Sequence, residues 1–252
     1  VESPALSLIG LTKTFGRRHV VDHVELQVPS GSFFGLVGPN GAGKTTSLSM
    51  AVGLLRPDAG RAEIFGADVW TDAVRAKRLI GVLPDGLAMP ERLTGPELLR
   101  FTGLLRGMER SEVDRRAEEL LDVLGLETAG RTLVMEYSTG MRKKIGLASA
   151  LLHAPKLLVL DEPLEAVDPV SAATIKVILQ RFVRGGGTVV LSSHVMALVE
   201  QLCDHVAVID AGRVAASGPL ERVRGGLSLE ERFVSLVGGR LPEMEELAWL
   251  AS

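Results

Sequence analysis

Apolar positions along this chain follow two rhythms, one close to alternation and one close to the helical period. Residues 5–11 and 20–28 alternate or run apolar and predict two strands, with the polar stretch 12–18 as the turn between them. Phe33-Phe34-Gly35-Leu36-Val37 predicts a buried strand, residues 47–55 a helix, and Arg56-Pro57-Asp58-Ala59-Gly60 the stop after it. A short strand near 62–65 and a polar helix near 72–78 lead to Ile80-Gly81-Val82-Leu83, a buried strand ended abruptly by Pro84-Asp85.

From about residue 86 to 136 the strand pattern disappears. Thr94-Gly95-Pro96-Glu97 opens a helix that runs to about Gly107. Ser111-Glu112-Val113-Asp114 opens another, with Val113, Ala117, Leu120, Leu121 and Leu124 on one face. A further helix begins at Tyr137-Ser138-Thr139-Gly140 and reaches Leu152. Strands near 157–160, 188–192, 206–209 and 214–216 then alternate with helices near 170–183 and 195–202. Such alternation predicts an α/β fold with a largely parallel sheet covered on both faces. Beyond Gly225-Gly226, residues 228–237 and 243–250 are short amphipathic helices in a peripheral appendage. The expected division is a core of 1–85 and 137–220, an inserted helical subdomain of 86–136, and an appendage of 221–252.

Composition narrows the class. Of 252 residues, 46% are hydrophobic, enough for a sizeable core, and the net charge of −3 gives no general pull towards nucleic acid or anionic lipid. Cys203 is the single cysteine, which excludes an internal disulfide and predicts a reduced, buried thiol of an intracellular protein. No apolar run approaches membrane-spanning length and the N-terminus carries no charged-then-apolar signal pattern, so neither a membrane span nor secretion is expected.

Two motifs carry chemistry. Gly38-Pro39-Asn40-Gly41-Ala42-Gly43-Lys44-Thr45-Thr46 lies between the strand at 33–37 and the following helix, the setting in which G-x-x-x-x-G-K-[ST] cradles phosphates. Its glycines let backbone N–H groups turn inward at an anion, Lys44 reaches the β- and γ-phosphates, and the Thr45 hydroxyl takes one Mg²⁺ position. In Lys156-Leu157-Leu158-Val159-Leu160-Asp161-Glu162-Pro163, an apolar strand delivers two carboxylates at its C-terminal end, where open α/β sheets bind ligands. Asp161 is expected to hold Mg²⁺ through water and Glu162 to polarise the attacking water, making a nucleoside triphosphate the expected ligand.

Tyr137-Ser138-Thr139-Gly140-Met141-Arg142-Lys143-Lys144 lies about twenty residues before the acid pair. Leu164-Glu165-Ala166-Val167-Asp168 follows that pair, and Ser192-Ser193-His194 follows the next strand. With the glycine-rich loop, these segments resemble the nucleotide-binding subunit of an ABC transporter, over residues 5 to about 220 and in family order. The Tyr-Ser-x-Gly-Met form, the Leu-Glu-Ala-Val-Asp loop and Leu229-Glu230-Glu231-Arg232-Phe233 look most like the ABC-2 exporter branch.

The resemblance implies a P-loop NTPase of the ABC type: a mostly parallel sheet, an antiparallel β subdomain and an inserted helical subdomain. It implies ATP and Mg²⁺ as ligands, with two subunits, identical or different, sandwiching two ATP molecules head to tail. One chain supplies Lys44, Thr45, Asp161, Glu162 and His194. The other supplies the signature segment Ser138, Thr139, Gly140 and Met141, and Asp168 lies at the seam. His194 is expected to bond the γ-phosphate and steady Glu162. Phe15 is either the aromatic that stacks on adenine or a simple core or turn residue. Leu87, Met89 and Leu93 either grip an integral membrane permease or are buried in the helical subdomain. The implied location is cytoplasmic, peripheral on the inner face of the cell membrane.

The chain departs from the family in places. Asp85 stands where the family most often has Gln; it either ligates Mg²⁺ or repels the γ-phosphate. Thr139 replaces a signature glycine, Met141 its Gln, and Ala166 a loop glycine. The leading function is an ATPase energising export through a separate permease. A soluble regulatory ABC-type ATPase and a non-hydrolysing ATP switch are the alternatives, and no nucleic-acid partner is expected.

Overall fold

The computed structural model describes residues 3–86 and 89–238. β1 (Leu6–Phe15) and β2 (Arg18–Val28) form an antiparallel hairpin in which Leu6 faces Val28 and Phe15 faces Arg18. The strands run further than their apolar pattern, because polar groups anchor the arm: Lys13 Nζ lies 2.7 Å from Asp58 Oδ1, and Thr14 N donates to Asp58 Oδ2 at 2.8 Å. The 12–18 turn of the sequence reading is thus mostly strand, with only Gly16 and Arg17 at its tip. With β4 (Ala59–Ile64) and β5 (Ala67–Asp68), the hairpin makes a four-stranded sheet ordered β2-β1-β4-β5.

The second sheet has six strands. They are β3 (Phe33–Val37), β6 (Ile80–Leu83), β7 (Leu157–Asp161), β8 (Thr188–Ser193), β9 (His205–Asp210) and β10 (Arg213–Pro219), in the order β10-β9-β3-β8-β7-β6. All neighbours pair in parallel except β10 with β9. Alternate residues go to opposite faces, so each face has its own core. Phe33, Val37, Leu158, Leu160, Val189 and Leu191 join one cluster; Phe34, Leu36, Leu157, Val159 and Val190 join the other. Two buried faces explain why these strands read as unbroken apolar runs.

The second cluster unites α1 (Lys44–Ala51), α2 (Ala73–Leu79) and the four-stranded sheet. The first gathers α3 (Gly95–Leu105), α4 (Arg110–Val123), α5 (Thr139–Leu151), α6 (Pro169–Arg184) and α7 (Met196–Leu202). A capping box starts α3, with Thr94 N donating to Glu97 Oε2 at 2.8 Å. α8 (Leu220–Arg224) and α9 (Leu229–Val237) bury Leu220, Val223 and Leu229 in this same cluster. The helix expected at 243–250 lies outside the described residues. Cys203 is buried, which raises its thiol pKa. Among the described residues, no helix is long and apolar enough to cross a membrane.

One polar joint ties the helical region to the sheet edge. Arg106, which caps α3, donates to Lys77 O at 2.9 Å and lies 2.9 Å from His153 Nε2, itself 3.0 Å from Ile80 O. Burial, and then the Arg106 charge, pushes the His153 pKa from 6.5 to about 4. The unfolded chain therefore binds a proton that the folded chain refuses between those values, and this part of the stability fades as pH falls from 6.5 to about 4. Urea midpoints measured at about pH 7 and about pH 4.5 should fall less for His153→Gln than for the parent chain.

A candidate triphosphate site at the C-terminal edge of the parallel strands

The in-register ladder sets Val37 beside Ser193 and Asp161 beside Ser192. Three loops therefore leave the sheet at one edge: the glycine-rich loop after β3, the acid pair after β7 and His194 after β8. At Gly38 the loop passes so close to β9 that a Cβ would stand 2.2 Å from Ile209 O. Gly43 caps α1 at φ 102°, a left-handed conformation that turns the following N–H groups toward the loop. Asn40, Gly41 and Thr45 are exposed at the surface of this turn, Pro39 and Thr46 are half-buried, and Ala42 packs below it.

Lys44 is only 7% exposed. Its ammonium donates to Gly38 O at 2.7 Å and Pro39 O at 3.2 Å. Burial lowers its pKa, and the charges of Glu162 and Asp161 oppose that shift. The cation thus lies within the field of both carboxylates, as a group that meets a polyphosphate must.

Asp161, 4% exposed, ends β7 and accepts a hydrogen bond from the Ser192 hydroxyl. The same hydroxyl accepts from Glu162 N at 3.0 Å. Glu162 holds a left-handed backbone, φ 45°, which turns its carboxylate away from the strand direction and toward His194. His194 Nδ1 lies 3.0 Å from Glu162 Oε1, leaving Nε2 as the ring nitrogen free to meet a phosphate oxygen. Asp85, after β6, has Oδ1 3.5 Å from Lys143 Nζ, and Lys143 donates to Glu162 O at 2.9 Å. A carboxylate, its imidazole partner and a buried ammonium on one edge can hold an anion and draw a proton from water.

Other expected residues stand elsewhere. Ser138 caps α5 and accepts from Met141 N at 3.2 Å. Ser138 and Thr139 are exposed, Gly140 is half-buried beside Ala166 and Val167, and Met141 packs on the first core cluster. Among the described residues no hydrogen bond joins this segment to residues 38–46. Asp168 caps α6: hydrogen bonds from Ser171, and from Val170 N at 3.1 Å, hold its carboxyl below the usual range. Ala166 sits at φ 57°, the region that favours glycine, which gives a physical reason for the residue the family prefers there.

Phe15 is 51% exposed with Lys13 Nζ 5.7 Å from its ring centre, so it is not a core residue. Met89 and Leu93 are half-buried against the first cluster, while Leu87 lies outside the described residues. Phe101, Leu104 and Leu105 of α3 are exposed instead. A hollow of about 1290 Å³ lies at the opposite end of the strands beside Gly31, Lys156 and Gly187 and is lined by none of these groups.

Sequence pattern alone predicts no role for Ser192, Lys143 or Arg18. Ser192 was visible as a hydroxyl one position before the Ser-His pair, and the register makes it the bridge between both acids. Arg18 places Nη2 3.9 Å from where a Cβ on Gly41 would stand, so its guanidinium overhangs the loop; only the hairpin brings it there.

The ABC transporter family model matches residues 21–165. The daunorubicin/doxorubicin resistance ATP-binding protein DrrA of Streptomyces peucetius is 39% identical over 223 residues, 88% of this chain and 68% of that one. Nod factor export ATP-binding protein I of Ralstonia nicotianae is 36% identical over 246 residues, covering 97% and 76% respectively. A solved structure of the ATP-binding subunit of an ABC transporter superposes with a TM-score of 0.86 at 30% identity, over 92% of this chain and 99% of that one. The chain belongs to the ABC transporter family and is an ATPase of that family.

Replacing Ser192 with Ala leaves the buried Asp161 carboxylate and the Glu162 N–H without this partner. Ser192→Ala should cost about 1–3 kcal/mol in urea unfolding and lower kcat more than it raises KM for ATP.

Proposed function

We propose that Lys44, Thr45, Asp161, Glu162 and His194 of one chain hydrolyse an ATP molecule whose far side is closed by Ser138 and Gly140 of a second copy or close relative. The observation that carries this reading is the field of Asp161 and Glu162 on the buried Lys44, with His194 Nδ1 3.0 Å from Glu162. The loop N–H groups of residues 38–46 hold the phosphates, Lys44 neutralises them, and Phe15 stacks on the base. Glu162 accepts a proton from the attacking water while His194 holds its carboxylate in place.

The donor set fits magnesium. Asp161 presents a buried carboxylate beside Lys44. Mg²⁺ retains waters and takes one or two carboxylates with phosphate oxygens. That suits a site where, among the described residues, no three acidic, His or Cys groups form a cage. When bound, the ion supplies neutralisation of charge on the transferred phosphoryl group.

ATP at the seam draws two chains together, with Asp168 near the contact, and cleavage of the γ-phosphate releases them. The relatives named for drug resistance and for Nod factor export support coupling of this cycle to export through a separate membrane permease. In this reading the core comprises 1–85 and 137–220, and helical residues 86–136 grip that permease. The appendage is 221–252, and the whole lies on the cytoplasmic face of the membrane.

Glu162→Gln should lower ATP turnover by more than about 100-fold and leave an ATP-bound dimer that elutes early in gel filtration. Normal turnover, or a monomer in saturating ATP, contradicts the assignment. In Lys44→Ala the defect should fall earlier, as weaker binding of a fluorescent ATP analogue.

A further inference from the structure

The Glu162 backbone, at φ 45°, lies in the left-handed region that a non-glycine residue adopts only at a cost, and such a conformation persists only where neighbours over-determine it. Side chains fix the peptide on both sides. Ser192 Oγ accepts from the Glu162 N–H at 3.0 Å, and Lys143 Nζ donates to the Glu162 carbonyl at 2.9 Å. The Lys143 side chain is 13% exposed and comes from α5, the helix that Ser138 caps. Its ammonium lies 3.5 Å from Asp85 Oδ1, at the position where Gln is expected. A cation drawn this far from water needs oxygens to replace its hydration, and Glu162 O and Asp85 supply them.

We propose that Lys143 is a positioning residue of the hydrolytic site: it fixes the Glu162 peptide and cancels the charge of Asp85, so that the γ-phosphate is not repelled. This rests on reading Glu162 as the group that faces the γ-phosphate. Asp85 and Glu162 share one ammonium, so both belong to the same end of the nucleotide. Paired with Lys143, Asp85 adds no net charge there and keeps a carboxylate oxygen to accept from water. The family's neutral amide is thereby replaced by a neutral ion pair. The same helix presents Ser138 to the neighbouring nucleotide and holds the Glu162 of its own site, which gives the two sites a direct mechanical link.

The test separates charge from position. Lys143→Gln removes the charge, and Lys143→Met also removes the donor. Dissociation constants for fluorescent ATP and ADP are measured in the parent and in an Asp85→Asn background. Lys143→Gln should weaken ATP by about tenfold relative to ADP, and Asp85→Asn should abolish that selective loss. Lys143→Arg should retain the parental ratio, and Lys143→Met should add a fall in kcat that Asp85→Asn does not restore. Thermal midpoints identify any variant that is not folded, and Lys143→Gln with Asp85→Asn then supplies the comparison against Asp85→Asn alone. An unchanged ATP-to-ADP ratio in Lys143→Gln, or a loss that persists undiminished in the Asp85→Asn background, overturns the proposal. Full hydrolysis in Glu162→Gln would instead remove the assigned base, while the affinity ratio still reports on Asp85.

Discussion

The parallel ladder joining β3, β8 and β7 governs the chemistry because it fixes which strand ends are neighbours. Val37 pairs with Ser193, and Ser192 with Asp161. A slip of one residue would send every side chain to the other face and exchange the two cores. In the observed register the loop holding Lys44, the hydroxyl of Ser192 and the carboxylates of Asp161 and Glu162 meet at one edge. The two apolar clusters enforce that register, since Leu158 and Leu160 enter one and Leu157 and Val159 the other.

Ser192 and Lys143 turn this edge from a cluster of charges into a shaped site. Buried ions need partners, and Asp161 has the Ser192 hydroxyl while Lys44 has the loop carbonyls. Glu162 needs a backbone angle that its residue type disfavours, and the groups on either side of its peptide hold it there. Stability invested in these few contacts fixes the carboxylate before substrate arrives, the condition for electrostatic preorganisation.

Much of this was legible in the sequence because the controlling signals are local. A glycine-rich loop, an apolar strand ending in two acids and a Ser-Ser-His strand end each declare their conformation within a few residues. The helical region was legible from periodicity and from the Thr94 capping box. What escaped depends on distant pairings. The hairpin through Thr14 is held by Asp58, far along the chain, so its polar arm looked like a turn. Lys143 is one of three consecutive basic residues after Met141, and only folding brings it to Glu162 and Asp85. Met89 and Leu93 were ambiguous because an apolar residue near a loop gives no sign of which neighbour will cover it.

The exposed start of α5 and the edge that carries Lys44 belong to one site only if a second chain brings them together. Disulfide trapping between Asn40→Cys on one chain and Thr139→Cys on another tests this most directly, since both positions are exposed and flank the proposed phosphate seat. With a non-hydrolysable ATP analogue the two should crosslink rapidly as a dimer, and with ADP or without nucleotide they should not. A yield that ignores the nucleotide, or no dimer with the analogue even when the membrane partner is present, would contradict the shared site.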